Sequence, residues 1–156
     1  MKNKPYIALL GIVLIFSACD KENVPYTSIK DVENLIYLEI KDFRINEGLN
    51  GPFVHQVLMI QEAQKYSYKM ANGMIEMGPQ GIDEHWETLS EYWTFYNRNV
   101  LVLKTMENSE ELILDELLAT EGIESALLGD YSQCGVGVEQ DQEGFNYVTI
   151  LLAKAD

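Results

Sequence analysis

The strongest constraint on the fold lies near the C-terminus, where Cys134-Gly135-Val136-Gly137-Val138 alternates small with β-branched residues. That period belongs to a strand, and Gly135 and Gly137 leave space where another element lies close to the sheet. Asp141-Gln142-Glu143-Gly144 supplies a turn, and residues 145–153, with Tyr147, Val148, Thr149 and Ile150, return as the second strand of an antiparallel hairpin. Upstream the pattern is mostly helical. Ile29, Val32, Leu35, Ile36, Ile40 and Phe43 recur at helical spacing, with Thr27 or Ser28 as N-cap, Asp31 completing a capping box and Gly48 as the stop. A second helical pattern runs through Val54, Val57, Leu58, Gln61, Ala63, Tyr66 and Met70 to Asn72-Gly73, and puts His55 at the start of its helix. A short helix over 82–92, a strand over 99–103 and a helix opened by Ser109 and reaching Ala119 complete the reading. Helices first and a hairpin last make an α+β domain with helices packed on a sheet.

The N-terminus is excluded from that domain. Met1-Lys2-Asn3-Lys4 is followed by an apolar run from Tyr6 to Phe16, broken by Gly11, and then by Ser17-Ala18-Cys19. A positive start, a short apolar run and small residues before a cleavage point make a secretory signal peptide over residues 1–18. Phe16-Ser17-Ala18-Cys19 resembles the lipobox of bacterial lipoproteins, which implies cleavage before Cys19 and acylation of its sulfur. Several acyl chains hold a protein firmly to a bilayer, at about 0.8 kcal/mol per buried methylene. Residues 19–27 then read as the lipidated cysteine and a polar tether, and 28–156 as one domain. Asp20-Lys21-Glu22 is similar to acidic signals that route some lipoproteins to the cell surface.

Composition narrows the function. The whole chain carries 11 Lys and Arg against 25 Asp and Glu, a net charge of -14. Loss of Lys2 and Lys4 leaves 9 against 25, or -16, so no basic stripe exists to release counterions from a nucleic acid. A chain this acidic is repelled by anionic headgroups, so the lipid and not a polybasic patch must hold it at a membrane. Two cysteines, Cys19 and Cys134, build no disulfide framework and have no metal-ligand spacing.

The ordered segments suggest a family. Gln61-Glu62-Ala63-Gln64-Lys65-Tyr66-Ser67-Tyr68-Lys69-Met70-Ala71-Asn72-Gly73 resembles the Ala-x-x-His-Ser-x-x-Met-Ala-x-Gly helix of the CAP superfamily, the SCP-like domain of cysteine-rich secretory and pathogenesis-related proteins. Ile40-Lys41-Asp42-Phe43-Arg44 is similar to the Ile-Asn-x-x-Arg end of its first helix, and the stretch from Gly78 to Trp86 to its Gly-His-x-Gly-Phe loop and following turn. Arg98-Asn99-Val100 stands where Glu-Asn-Val usually does, and 120–131 resembles the Ser-Pro-Gly-His-Arg-x-Asn-Ile-x-Gly-Asp-Tyr signature. Gly135-Val136-Gly137-Val138 and Tyr147-Val148-Thr149 are similar to its two strands. The resemblance covers residues 32–152 and implies a three-layer α/β/α sandwich with an antiparallel sheet.

The same correspondence implies a degenerate cleft. Pro79 and Ile123 occupy the two His positions and Arg98 the Glu position, so two groups without lone pairs and one cation replace the donors of a metal or proton-transfer site. No metal and no other cofactor is expected. His85, beside Trp86 and among Asp83, Glu84 and Glu87, offers a relocated acid or base, although a surface imidazole among acidic neighbours is the simpler reading. A set of Ser67, His85 and Asp130 has no nucleophile motif behind it. Tyr92-Trp93-Thr94-Phe95-Tyr96, with His85 and Trp86 before it, is a candidate ligand groove, with core packing the alternative for at least half of the rings. Cys134 reads as a buried small hydrophobe.

The expected protein is therefore a cell-envelope lipoprotein of the outer membrane, on its periplasmic face or the cell surface, with a CAP-like domain binding an envelope ligand or protein without catalysis. The alternatives are a hydrolase of envelope polymers or peptides with a site rearranged around His85, and a lipid or sterol binder. Replacing Cys19 by Ser is expected to abolish incorporation of labelled fatty acid and to move the chain out of the membrane fraction. Unchanged labelling refutes the anchor.

Overall fold

The computed structural model describes residues 28–156. The leader, Cys19 and the tether lie outside the described residues. Helix α1 (Asp31–Asn46) is followed by strand β1 (Val54–His55), α2 (Val57–Ala71), α3 (Asp83–Ser90), β2 (Phe95–Thr105), α4 (Glu110–Leu118), α5 (Ile123–Leu127), β3 (Gln133–Gln140) and β4 (Asn146–Ala155). The four strands form one sheet in the order β1-β3-β4-β2. Helices α2 and α3 pack with one face of it around Met59, Ala63, Tyr66, Trp86, Leu89 and Leu151. Helices α1, α4 and α5 cover the other face around Ile36, Ile40, Ile113, Leu117, Leu127 and Ile150. The result is the expected α+β sandwich of three layers, with one difference: β3, β4 and β2 are antiparallel neighbours, whereas β1 runs parallel to β3, so the sheet is mixed.

The glycine pair explains how α2 is placed. A Cβ built on Gly135 would lie 2.3 Å from the Met59 carbonyl carbon, and one on Gly137 would lie 2.3 Å from Ala63 C and Gln64 N. The helix backbone therefore lies directly on β3, closer than any side chain permits. Ser67 Oγ uses that proximity to donate to Gly137 O at 2.9 Å and pair with Thr149 Oγ1 at 2.8 Å, which satisfies the buried hydroxyls.

Three local readings change. The first helix begins at Asp31, not after Thr27 or Ser28: Lys30 is the extended N-cap, and Glu33 accepts from its N–H at 2.8 Å. The second helix begins at Val57, and Val54–His55 forms β1 instead of a first helical turn. Strand β2 reaches from Phe95 to Thr105, longer than the β-branched stretch within it, because β4 offers partners along its length except at an irregularity at Tyr96. The expected start of α4 holds, with Ser109 Oγ accepting from Leu112 N at 3.4 Å.

Replacing Gly137 by Ala is expected to cost about 3 kcal/mol or more, since the clash is with backbone that cannot step aside. Gly51→Ala, where nothing lies within 4 Å, is the control and is expected to leave the urea midpoint nearly unchanged. Equal midpoints for both variants refute the close-packing account.

Candidate functional site

Helices α2 and α3 are held side by side on the sheet, and their facing turns bring Glu62 to His85. Glu62 Oε2 lies 2.7 Å from His85 Nδ1, and Lys65 Nζ lies 2.6 Å from Glu62 Oε1. A carboxylate accepts, so the shared hydrogen sits on His85 Nδ1. Burial raises the pKa of Glu62, but the hydrogen bonds from His85 and Lys65 outweigh it and the net shift is downward. The Tyr66 ring meets the imidazole edge-on at 5.3 Å, and its hydroxyl lies 2.6 Å from both Gly78 O and Gln80 O, tying the loop before α3 to α2.

His85 is 3% exposed, which corrects the surface reading. Its Nε2 is buried and finds no hydrogen-bond partner among the described residues. Glu62 was not singled out in the sequence, although a signal was present. Met59, Glu62, Ala63, Tyr66 and Met70 share the buried face of α2, so a carboxylate at that phase requires a partner. The set of Ser67, His85 and Asp130 does not assemble: Ser67 is spent on Gly137 and Thr149, and exposed Asp130 pairs with Lys154.

The aromatic candidates divide. Trp86 is 2% exposed and packs edge-on to Phe95 at 5.3 Å, so it belongs to the core with His85. Tyr92 is exposed and Trp93 half-buried, their rings 6.1 Å apart. Trp93 lies against an open groove of about 560 Å³ that Ser90, Thr94, Tyr96, Asn97 and Arg98 also line. Arg98 sits over the Trp86 ring at 5.7 Å, with its nearest carboxylate, exposed Asp83, at 3.8 Å.

Pro79, Arg98 and Ile123 do not converge. Pro79 is exposed in the loop before α3, and Arg98 reaches Trp86 on the α2–α3 side. Ile123, at the start of α5, packs against the core on the opposite face of the sheet. Among the described residues, no three His, Cys, Asp or Glu side chains are grouped to hold a metal ion.

Solved structures share this architecture. An outer surface protein of Borrelia burgdorferi superposes with a TM-score of 0.68 at 14% identity, covering 83% of this chain and 97% of its own. A venom allergen-like protein of Schistosoma mansoni, number 4, superposes with a TM-score of 0.58 at 11% identity, covering 82% and 91%. The fold is CAP-like. No family model matches the sequence, and no curated protein matches it either.

Within the CAP-like sandwich, the remaining candidates serve the sheet. Strand β1 ends after two residues, so among the described residues β3 runs on past it without a strand partner on that side. Side chains take its place. His55 Nε2 accepts from Val136 N at 3.3 Å, Glu33 Oε1 accepts from Val138 N at 3.0 Å, and Lys30 Nζ donates to Val138 O. Burial lowers the His55 pKa from 6.5 to about 4, and as an acceptor it must be neutral at Nε2. Cys134 is fully buried, and burial pushes its thiol pKa upward, so it is no nucleophile.

The His55 shift has a definite sign. Between pH 6.5 and about 4 the unfolded chain binds more protons at this residue than the folded one, so its stability contribution is intact above 6.5 and is lost on acidification toward 4. Glu33, whose pKa burial raises, acts in the opposite sense, so the comparison must isolate His55. The urea midpoint of the native protein is expected to fall relative to that of His55→Gln between pH 7 and pH 4.5, since the amide can accept from Val136 N and does not titrate. Parallel pH profiles refute the role.

Proposed function

We propose that this chain is a cell-envelope lipoprotein, anchored through Cys19 to the outer membrane on its periplasmic face or at the cell surface, whose CAP-like domain is a non-catalytic binding module. One observation carries this reading: the acid–base pair is closed while the aromatic groove is open. Glu62 is engaged by His85 and Lys65, and His85 is 3% exposed, so neither is presented to a substrate. Trp93, Tyr96 and Arg98 instead face a groove of about 560 Å³, with aromatic surface, a phenol and a guanidinium for an envelope ligand or protein partner. The likeness to an outer surface protein of Borrelia burgdorferi supports the fold, and the anchor rests on the resemblance of residues 16–19 to a lipobox.

A second reading has its own observation. A carboxylate that holds Nδ1–H and leaves Nε2 free is the arrangement of an oriented general base, as a hydrolase rearranged around His85 requires. The two readings diverge on a panel of envelope polymers and peptides. The binding module turns over none of them, and Trp93→Ala together with Arg98→Ala weakens retention on envelope fractions while His85→Gln does not. Turnover abolished by His85→Gln establishes the hydrolase and overturns the binding reading.

A further inference from the structure

Arg44, near the end of α1, is 5% exposed and sits 4.4 Å over the Phe53 ring. Its Nη1 donates to Leu127 O and Gly129 O, and its Nη2 to Tyr131 O, so the guanidinium ties the α5–β3 connection to α1. These acceptors are neutral carbonyls. Among the described residues no carboxylate lies in ion-pair contact with Arg44, and its Nε–H has no acceptor. Asp130 acts on the cation only from beyond contact distance, and a buried cation with no anion in contact and a donor unused is costly. The free Nε–H lies on the Nε/Nη2 edge of the guanidinium, the edge that takes a carboxylate side-on through two parallel bonds.

Space adjoins Arg44. Two cavities, of about 430 Å³ and 540 Å³, are both walled by Arg44 and the 49–52 loop. Lys41 lines the first and Lys154 the second. Three of the chain's 11 basic residues thus line these cavities, against one lining carboxylate among the described residues, Asp130, whose ion pair with Lys154 leaves the excess positive charge on Arg44 and Lys41. In a chain of net charge -14, such a concentration of positive charge favours an anion locally. Leu49, Pro52, Phe53 and Tyr131 make the rest of the lining largely apolar.

We infer that the double cavity beside Arg44 is a binding site for a small carboxylate with an apolar body, its head received by the unused Nε–H of Arg44 and its charge shared with Lys41 and Lys154. The site is separate from the aromatic groove at Trp93, so its failure and the failure of the proposed function are independent outcomes.

The test is an NMR titration of the full chain with phenylacetate, following the Arg44 Nε–H and the amides of Gly51 and Gly129. The neutral phenylacetamide and the dianionic phenyl phosphate serve as comparisons. Saturable shifts with phenylacetate are expected, weakened by 0.5 M NaCl (a Debye length of roughly 4 Å) and weakened several-fold in Lys41→Gln and Lys154→Gln. Those two variants spare the carbonyl ties of Arg44, whose own replacement endangers the fold. Absence of shifts, equal shifts with phenylacetamide, or shifts with phenyl phosphate alone overturns the assignment.

Discussion

The arrangement depends on one contact: the backbone of α2 lying on the backbone of β3 at Gly135 and Gly137. Two points of contact, one at Met59 and one at Ala63 and Gln64, fix both the height and the direction of the helix. With α2 set, Ser67 reaches Gly137 and Thr149, Tyr66 reaches the carbonyls of the 78–80 loop, and α3 is docked beside Glu62. The candidates on this face of the sheet thus inherit their positions from two missing side chains.

On the same strand, the sheet is completed by side chains instead of backbone. Beyond the two residues of β1, the N–H groups of Val136 and Val138 and the Val138 carbonyl are satisfied by His55, Glu33 and Lys30. Glu33 also accepts from Lys30 N and from Gln64 Nε2, so one carboxylate joins α1, α2 and β3. This accounts for a fully buried Glu in the apolar phase of the first helix, where Ile36 and Ile40 are its neighbours on the inner face. Replacing the partner strand by three side chains keeps the edge from offering bare backbone to another chain.

Much of this was legible in the residues and some was not. The hairpin, the glycine-marked close approach and the Ser109 cap follow from local chemistry, and the structure shows each of them. The start of the second helix differs from its sequence pattern because Val54 and Val57 suit a strand as well as a helix at a spacing of three. The pairing of β1 with residues 133–134 decided between them from far along the chain. His85 looked like a surface imidazole because its neighbours in sequence are acidic. Its real environment is α2, 23 residues away, and no local pattern reports that. Ile123 shows the limit of a motif match: the segment around it packs in the expected sandwich, yet on the far face of the sheet from Arg98.

The clamp at Lys30 has a mechanical side. Its amino group grips Val138 O and Glu139 Oε2, the latter at 2.9 Å, one residue before α1 begins. Tension arriving along the chain from residues before Ser28 therefore meets β3 before it can peel α1 from the core. The load passes into the strand on which α2 is seated, and a domain pulled by its N-terminus is pulled by its keel.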